Sequence, residues 1–349
     1  MDFSSIIKAP VIDPCLLGSL CSFDKTLTSQ AFLFELIYGL LSLATLFVVY
    51  KMVNRFFMRF VITFTGVLLF ELFTAPMWTN SHLGKFAYIY LDISWILSLI
   101  WTALFLGVTT LVDTLLKKRK EYLRFAVYLI ITTAIVFSAE SVVLSVGIRE
   151  YSLEVKEVLS GTSFMGTPIE ALYYVSVFSL LIISFYKYMT LDYDKRPIIP
   201  SKKKSTLRIF ILSLIGVFLF ELMIEPMVYN RNLPSWSYFY RDISFLVSIV
   251  WVCLVTLSVL VVEDLFYTLS ARWKFLLSVG LTSVVAFPLE SLFMNYGIRV
   301  YGPTATQSFS GFNTVITHIP VEVAMAIPLY FALILAFVFY HDCILESRL

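Results

Sequence analysis

Eight carboxylates recur as four pairs along this 349-residue chain: Glu71 with Glu221, Asp92 with Asp242, Glu140 with Glu290, and Glu170 with Glu322. Each lies in or beside an apolar run, where an ionised side chain costs about 2.5–3.5 kcal/mol on insertion scales. A carboxylic acid in such surroundings keeps its proton to higher pH and can pass it to a substrate; once ionised, it can steady positive charge nearby. Arg149 and Arg299 accompany the acids, as do Tyr88, Tyr90 and Tyr151 with their partners Tyr238, Tyr240 and Tyr301, and Asn80 with Asn230. Glu71, Asp92, Arg149, Tyr151, Glu221, Glu225, Asp242, Arg299, Tyr301 and His318 are therefore expected to face a substrate or an ion. The competing expectation is structural: Arg149 pairs with Asp92 or Glu140, Arg299 with their counterparts, and the charges stitch the bundle where water is scarce.

The pairs arise from an internal repeat. Phe70-Glu71-Leu72, Pro76-Met77, Asn80, Asp92-Ile93-Ser94, Ser98 and Trp101 return as Phe220-Glu221-Leu222, Pro226-Met227, Asn230, Asp242-Ile243-Ser244, Ser248 and Trp251, each 150 residues later. Glu140-Ser141 and Gly147-Ile148-Arg149 return as Glu290-Ser291 and Gly297-Ile298-Arg299. Beyond Tyr151 and Tyr301 the second copy carries two extra residues, so Pro168 and Glu170 align with Pro320 and Glu322. The copies also differ. The second has Glu225 for Ala75, Arg241 for Leu91, Pro288 for Ser138 and His318 for Gly166. Glu221 and Glu225, one helical turn apart, are expected to share a proton as a like-charge pair, and Pro288 to open the backbone ladder beside Glu290.

The elements that must position these residues are membrane helices. The chain is 59% hydrophobic and 14% charged, against about 25% charged in an average soluble domain. Apolar runs near 31–50, 60–78, 87–112, 125–146, 168–188, 207–227, 243–262, 274–296 and 319–340 are each long enough for a span of about 20 residues. The expected fold is all-α and polytopic, with about nine transmembrane helices. It divides into an outer segment and extra helix (1–59), a four-helix repeat (60–188), a basic linker (189–206) and a second four-helix repeat with a short tail (207–349). Four spans per copy make the repeats parallel, related by an axis along the membrane normal.

Lys and Arg collect in cytoplasmic loops. Lys51, Arg55 and Arg59 mark one side, then Lys117, Lys118, Arg119, Lys120 and Arg124, then Lys187, Lys195, Arg196, Lys202, Lys203, Lys204 and Arg208, then Arg272, Lys274 and Arg348. That side holds eighteen of the 26 basic residues, so the N-terminus is expected outside and the C-terminus in the cytoplasm. All eight paired carboxylates then fall toward the outer leaflet in one polar belt. Residues 1–30 lack the basic stretch, apolar run and cleavage site of a signal peptide. Within them Cys15 and Cys21 either close a small disulfide loop or stand as two thiols.

A formal net charge of +2 gives no general attraction to nucleic acid. The three histidines His82, His318 and His341 are scattered, which argues against a multi-histidine metal site, and the acids follow no metal-ligand spacing. Phosphate loops, nucleophile elbows and paired-cysteine motifs are absent. No metal and no cofactor is expected.

The order Glu140, Gly147, Arg149, Tyr151, Pro168, Glu170 and the following Leu172-Tyr173-Tyr174 resembles integral membrane carotenoid-modifying proteins, the small lycopene cyclases and carotenoid hydratases. In such cyclases a Pro-x-Glu-Glu segment precedes aromatics; here Ala171 and Val323 replace the second Glu. The resemblance implies acid chemistry on a polyene, with Glu170 and Glu322 as acids and Glu140 and Glu290 stabilising a cationic intermediate. Membrane lipid and an apolar small molecule are the expected partners. A cation- or proton-coupled transporter using the same acids is the second reading, with a polar path to both faces as its signature. A non-catalytic membrane scaffold is the third.

Overall fold

The computed structural model describes residues 24–191, 193–194 and 205–346. Cys15 and Cys21 lie outside the described residues, as do Lys195, Arg196, Lys202, Lys203, Lys204 and Arg348. Among the described residues nine helices are long and apolar enough to cross a membrane, and the protein is an all-α, multi-pass bundle. They are α1 (Ser29–Met52), α2 (Phe56–Thr74), α3 (Trp95–Leu115), α4 (Glu121–Ser145), α6 (Glu170–Thr190), α7 (Thr206–Ile224), α8 (Phe245–Leu265), α9 (Ala271–Asn295) and α11 (Val321–Leu345). Two short helices, α5 (Leu153–Val158) and α10 (Pro303–Gln307), and a two-stranded hairpin of β5 (Ser163–Phe164) with β6 (Thr167–Pro168) lie between spans.

One expected span starts too early. The run from 87 is not helical until Trp95, because Tyr88–Tyr90 (β2) and Ile93–Ser94 (β3) form a bulged antiparallel hairpin. Leu91 turns that hairpin with φ +45°, and Ser94 accepts a hydrogen bond from the Leu97 amide to start α3. Tyr238–Tyr240 (β8) and Ile243–Ser244 (β9) repeat the hairpin, with Arg241 at φ +42°. Apolar content alone cannot separate a short buried hairpin from the first turns of a helix. Pro288, by contrast, leaves α9 continuous from Ala271 to Asn295.

Element bounds recur at the sequence interval. α2 and α7, α3 and α8, and α4 and α9 each start and end 150 residues apart. At one end of the bundle, Trp78–Asn80 (β1) pairs with Arg149–Tyr151 (β4), and Val228–Asn230 (β7) with Arg299–Tyr301 (β10). These small sheets tie the loop after the first helix of each copy to the loop after the third. The two ends of the bundle are called below the belt end, where these sheets lie, and the basic end.

The fourth helix of each copy, α6 and α11, forms the centre. Leu181, Ile182 and Ile183 of α6 and Leu333, Ile334 and Leu335 of α11 are fully buried. Equivalent positions also meet at the belt end: Glu154 Oε1 accepts from the Thr304 amide at 2.7 Å, across the 150-residue interval. Self-contact between equivalent residues is expected where a two-fold relation passes. α1 packs on α3 and leaves Phe32, Leu40, Leu41 and Phe47 exposed, as a lipid-facing helix does.

Helices without a hydrophobic drive toward one another approach through small residues. A Cβ on Gly66 of α2 would stand 2.9 Å from the Phe185 ring of α6, whereas one on Gly39 of α1 would meet nothing within 4 Å. Gly66→Leu is expected to cost about 1–3 kcal/mol by overpacking, and Gly39→Leu to change stability by less than about 0.5 kcal/mol. Thermal unfolding of the two variants in detergent checks this; equal effects would place α2 and α6 further apart than described.

Candidate functional site

The belt-end site is built by a reversal of the chain. α4 ends at Ser145, and Gly147 takes φ +72° so that Ile148 can bond back to the Val143 carbonyl. Gly297 does the same at φ +63° after α9, with Ile298 bonded to Phe293. A side chain at those glycines would be strained in the left-handed region. The returning strands β4 and β10 place residues i and i+2 on one face, which aims Arg149 with Tyr151, and Arg299 with Tyr301, at the helix just left. The Gly-x-Arg-x-Tyr spacing is thus a device for delivering a guanidinium and a phenol to a buried carboxylate.

In the first copy the delivery is complete. Arg149 Nη1 donates to Glu140 Oε2 at 2.8 Å and its Nε to Asn80 Oδ1 at 2.9 Å, while Tyr151 Oη donates to Glu140 Oε1 at 3.1 Å. The guanidinium also lies 5.0 Å from the centre of the Trp78 indole, a cation–π contact. Glu71 is left to accept from the Ser98 hydroxyl. What remains between these groups is a void of about 30 Å³, room for roughly one water.

The second copy uses the same residues differently. Arg299 forks onto Glu221, with Nη1 to Oε2 at 3.1 Å and Nη2 to Oε1 at 3.2 Å, and its Nε stands 3.7 Å from Glu290 Oε1. Glu290 accepts instead from Tyr301 Oη at 2.5 Å. Burial alone would lower the Arg299 guanidinium, but Glu221 and Glu290 beside it hold it above its ordinary value. Burial and the neighbouring Glu290 raise the Tyr301 phenol.

The reason for the difference is side-chain volume. Trp78 and Tyr174 wall the void of the first copy, and their aligned positions are Val228 and Ala326. Val228 gives Arg299 no ring to stack on, and with Ala326 it leaves a cavity of about 350 Å³. Its walls are largely apolar and aromatic, including Trp251, Phe309 and Phe331, and the first copy contributes Leu72, Phe73, Tyr90 and Leu91. Three buried polar atoms of its lining residues have no hydrogen-bond partner: Arg299 Nε, Tyr330 Oη and Glu322 Oε2. Buried polar groups are rarely left unpaired, and these three stand on the wall of the cavity.

The other expected site residues divide. Glu71, Glu140, Arg149 and Tyr151 meet at the small void; Glu221, Glu290, Arg299, Tyr301 and Glu322 line the cavity. Glu170 and Glu322 act alike at the backbone, accepting from the Ser160 and Ser310 amides at 2.7 Å each, but Glu170 borders neither space. The eight acids therefore do not converge on a single shared cavity. Glu221 and Glu225 do not share a proton pair: Arg299 holds Glu221, and Glu225 stands 3.9 Å from Arg241. His318 is exposed on a loop at φ +56° and borders neither space. Asp92 Oδ2 accepts from the Asn80 amide at 3.0 Å, whereas Asp242 meets Asn230 through its backbone carbonyl.

The sequence motifs do not single out Trp78, Val228 and Ala326, and take in Tyr174 only as one of the aromatics after Glu170, although side-chain size at aligned positions distinguishes all four. The count of basic residues by side also places Lys187 among loop cations. Lys187 is buried on α6 and bonded to Asp113 at 2.6 Å and to Tyr128 at 2.8 Å; its position inside an apolar run was the available signal.

No family model matches the chain, and no curated protein or solved structure matches it.

Asp92 supplies a measurable consequence of belt-end burial. Desolvation raises its carboxyl from 3.8 to about 6. The folded protein therefore holds a proton that the unfolded chain has released, and stability falls as pH rises from about 4 through 6, by roughly 2–3 kcal/mol for a shift of this size. In Asp92→Asn that component is expected to vanish. Unfolding midpoints of both proteins in detergent across this range test it, and parallel curves would contradict the assignment.

Proposed function

We propose that this protein binds an apolar lipid or isoprenoid carrying a small polar group in the cavity of the second copy, and that it acts on it by acid–base chemistry. The observation that carries the reading is the set of three unpaired polar atoms on the wall of an otherwise apolar, aromatic cavity. An apolar chain fits the walls; a hydroxyl or carbonyl on it satisfies Arg299, Tyr330 or Glu322.

The chemistry follows from the positions of the two glutamates. Glu322, with one oxygen on the Ser310 amide and the other free, serves as the acid. Its O–H proton passes to one carbon of a substrate double bond, the π pair forms the new C–H bond, and the adjacent carbon becomes cationic. Glu290, fixed by Tyr301, steadies that charge together with the rings of Trp251 and Phe309. Loss of a proton from a neighbouring carbon to a carboxylate completes an isomerisation; in a cyclisation the π pair of a second double bond first attacks the cation, forming the ring C–C bond and moving the charge one carbon on, before the same proton loss, with no change in oxidation state. The likeness to carotenoid-modifying proteins agrees with this class of substrate, and of the two belt-end spaces the second copy's is the larger, about 350 against 30 Å³.

The two copies are read as tandem duplicates, and the bias of Lys and Arg supports a belt end outside and a basic end in the cytoplasm. A transported cation or proton would have to cross the middle turns of α6 and α11. There Leu181, Ile182, Ile183, Leu333, Ile334 and Leu335 are fully buried, which favours a site at one end over a path.

The double variant Val228→Trp, Ala326→Tyr rebuilds the filled first copy in the second. It is expected to remove co-purifying lipid, measured by mass spectrometry of extracts, with an unchanged unfolding midpoint. Glu322→Gln is expected to keep the lipid and lower conversion at least about 100-fold, while Glu170→Gln keeps both. Retention of the same lipid in the double variant would overturn the reading.

A further inference from the structure

A larger cavity, of about 580 Å³, lies at the basic end, between the α1–α2 turn and the ends of α3, α4 and α6. Five basic and three acidic side chains line it, an excess of two positive charges. All three acids are already held. Asp113 is bonded to Lys187 at 2.6 Å and Arg124 at 2.9 Å, Glu121 to Arg124, and Asp194 to Arg59. Arg55 and Lys117 stand at the cavity with no carboxylate partner among the described residues; Arg55 donates only to the Tyr193 carbonyl, at 2.7 Å. The Nε of Arg124 is buried and unpartnered as well.

This charge is not a requirement of the fold. At the aligned positions of the second copy, Arg59 becomes Ile209, Tyr128 becomes Ser278, Tyr186 becomes Val338 and Lys187 becomes Phe339. Ile209, Val338 and Phe339 are buried in an apolar core there. The bundle thus packs at least as readily with hydrocarbon at these places, and a buried lysine network kept in one copy alone is costly without an occupant.

We propose that this cavity binds a phosphate-bearing anion. Two excess cations match a phosphate, guanidinium and ammonium groups are its usual protein donors, and the volume is that of a small-molecule site. The ligand is either the headgroup of an acidic phospholipid in the adjoining leaflet or a soluble phosphate compound, and the site is independent of the belt-end cavity.

The test uses the full chain in phosphatidylcholine nanodiscs, with two arms: titration with inorganic phosphate, and replacement of part of the lipid by phosphatidylglycerol. A rise in the unfolding midpoint in the lipid arm assigns a headgroup, and a rise with phosphate assigns a soluble ligand. Arg55→Ala, Lys117→Ala alters two exposed side chains and is expected to leave the ligand-free midpoint unchanged. It is expected to weaken binding about 25-fold, at roughly fivefold per charge. No response in either arm, or equal binding by the double variant, would overturn the proposal.

Discussion

Carboxylates buried at the end of an apolar bundle need a counter-charge, and this chain supplies it by folding back on itself. The turns at Gly147 and Gly297 carry Arg149 and Arg299 down onto acids of their own copies. Removing either guanidinium would strand uncompensated buried charge, which is far more damaging than losing the pair as a whole. The strands β4 and β10, the asparagines that receive the arginines, and the hairpins behind them all serve that placement. From this constraint follows the depth of the polar belt.

The same constraint is met in two ways. Arg149 lies beside the Trp78 indole and reaches Glu140; Arg299 faces Val228 and reaches Glu221. One ring exchanged for an isopropyl group changes which acid is neutralised, which hydroxyl is left over and how much space remains. Ser98 bonds Glu71, whereas Ser248 has no partner once Glu221 is taken by the arginine. Packing volume, more than the identity of the charged residues, separates a sealed site from an open one.

Much of this was legible in the amino-acid order. Nine apolar runs correspond to nine membrane-length helices among the described residues, because the length needed to span hydrocarbon is set by the bilayer and not by tertiary detail. The pairing of Arg149 with Glu140 was among the alternatives that Gly147 and a strand-like spacing allowed. Partner choice in the second copy was not legible, since Arg299 selects Glu221 over Glu290 through the empty volume at Val228 and Ala326. The hairpin at Tyr88–Tyr90 was read as helix because Ile89 and Leu91 are as apolar as any span. Glu170 and Glu322 each bond a serine amide beyond the aligned proline, and only the space beside them separates the two: Glu322 lines the larger cavity and Glu170 borders neither. Lys187 was hidden among loop cations, because charge counts by side ignore how deep each charge lies.

The wall of the open cavity is shared: Leu72, Phe73, Ala75, Pro76, Tyr90 and Leu91 come from the first copy and the remainder from the second. Two identical polypeptides meeting about the same axis would present either indole at both sites or isopropyl at both, and so would be sealed twice or open twice. Covalent joining releases the halves from that equality. One half can then serve as a fixed buttress while the other stays open, an asymmetry that a symmetric pair of identical chains cannot hold.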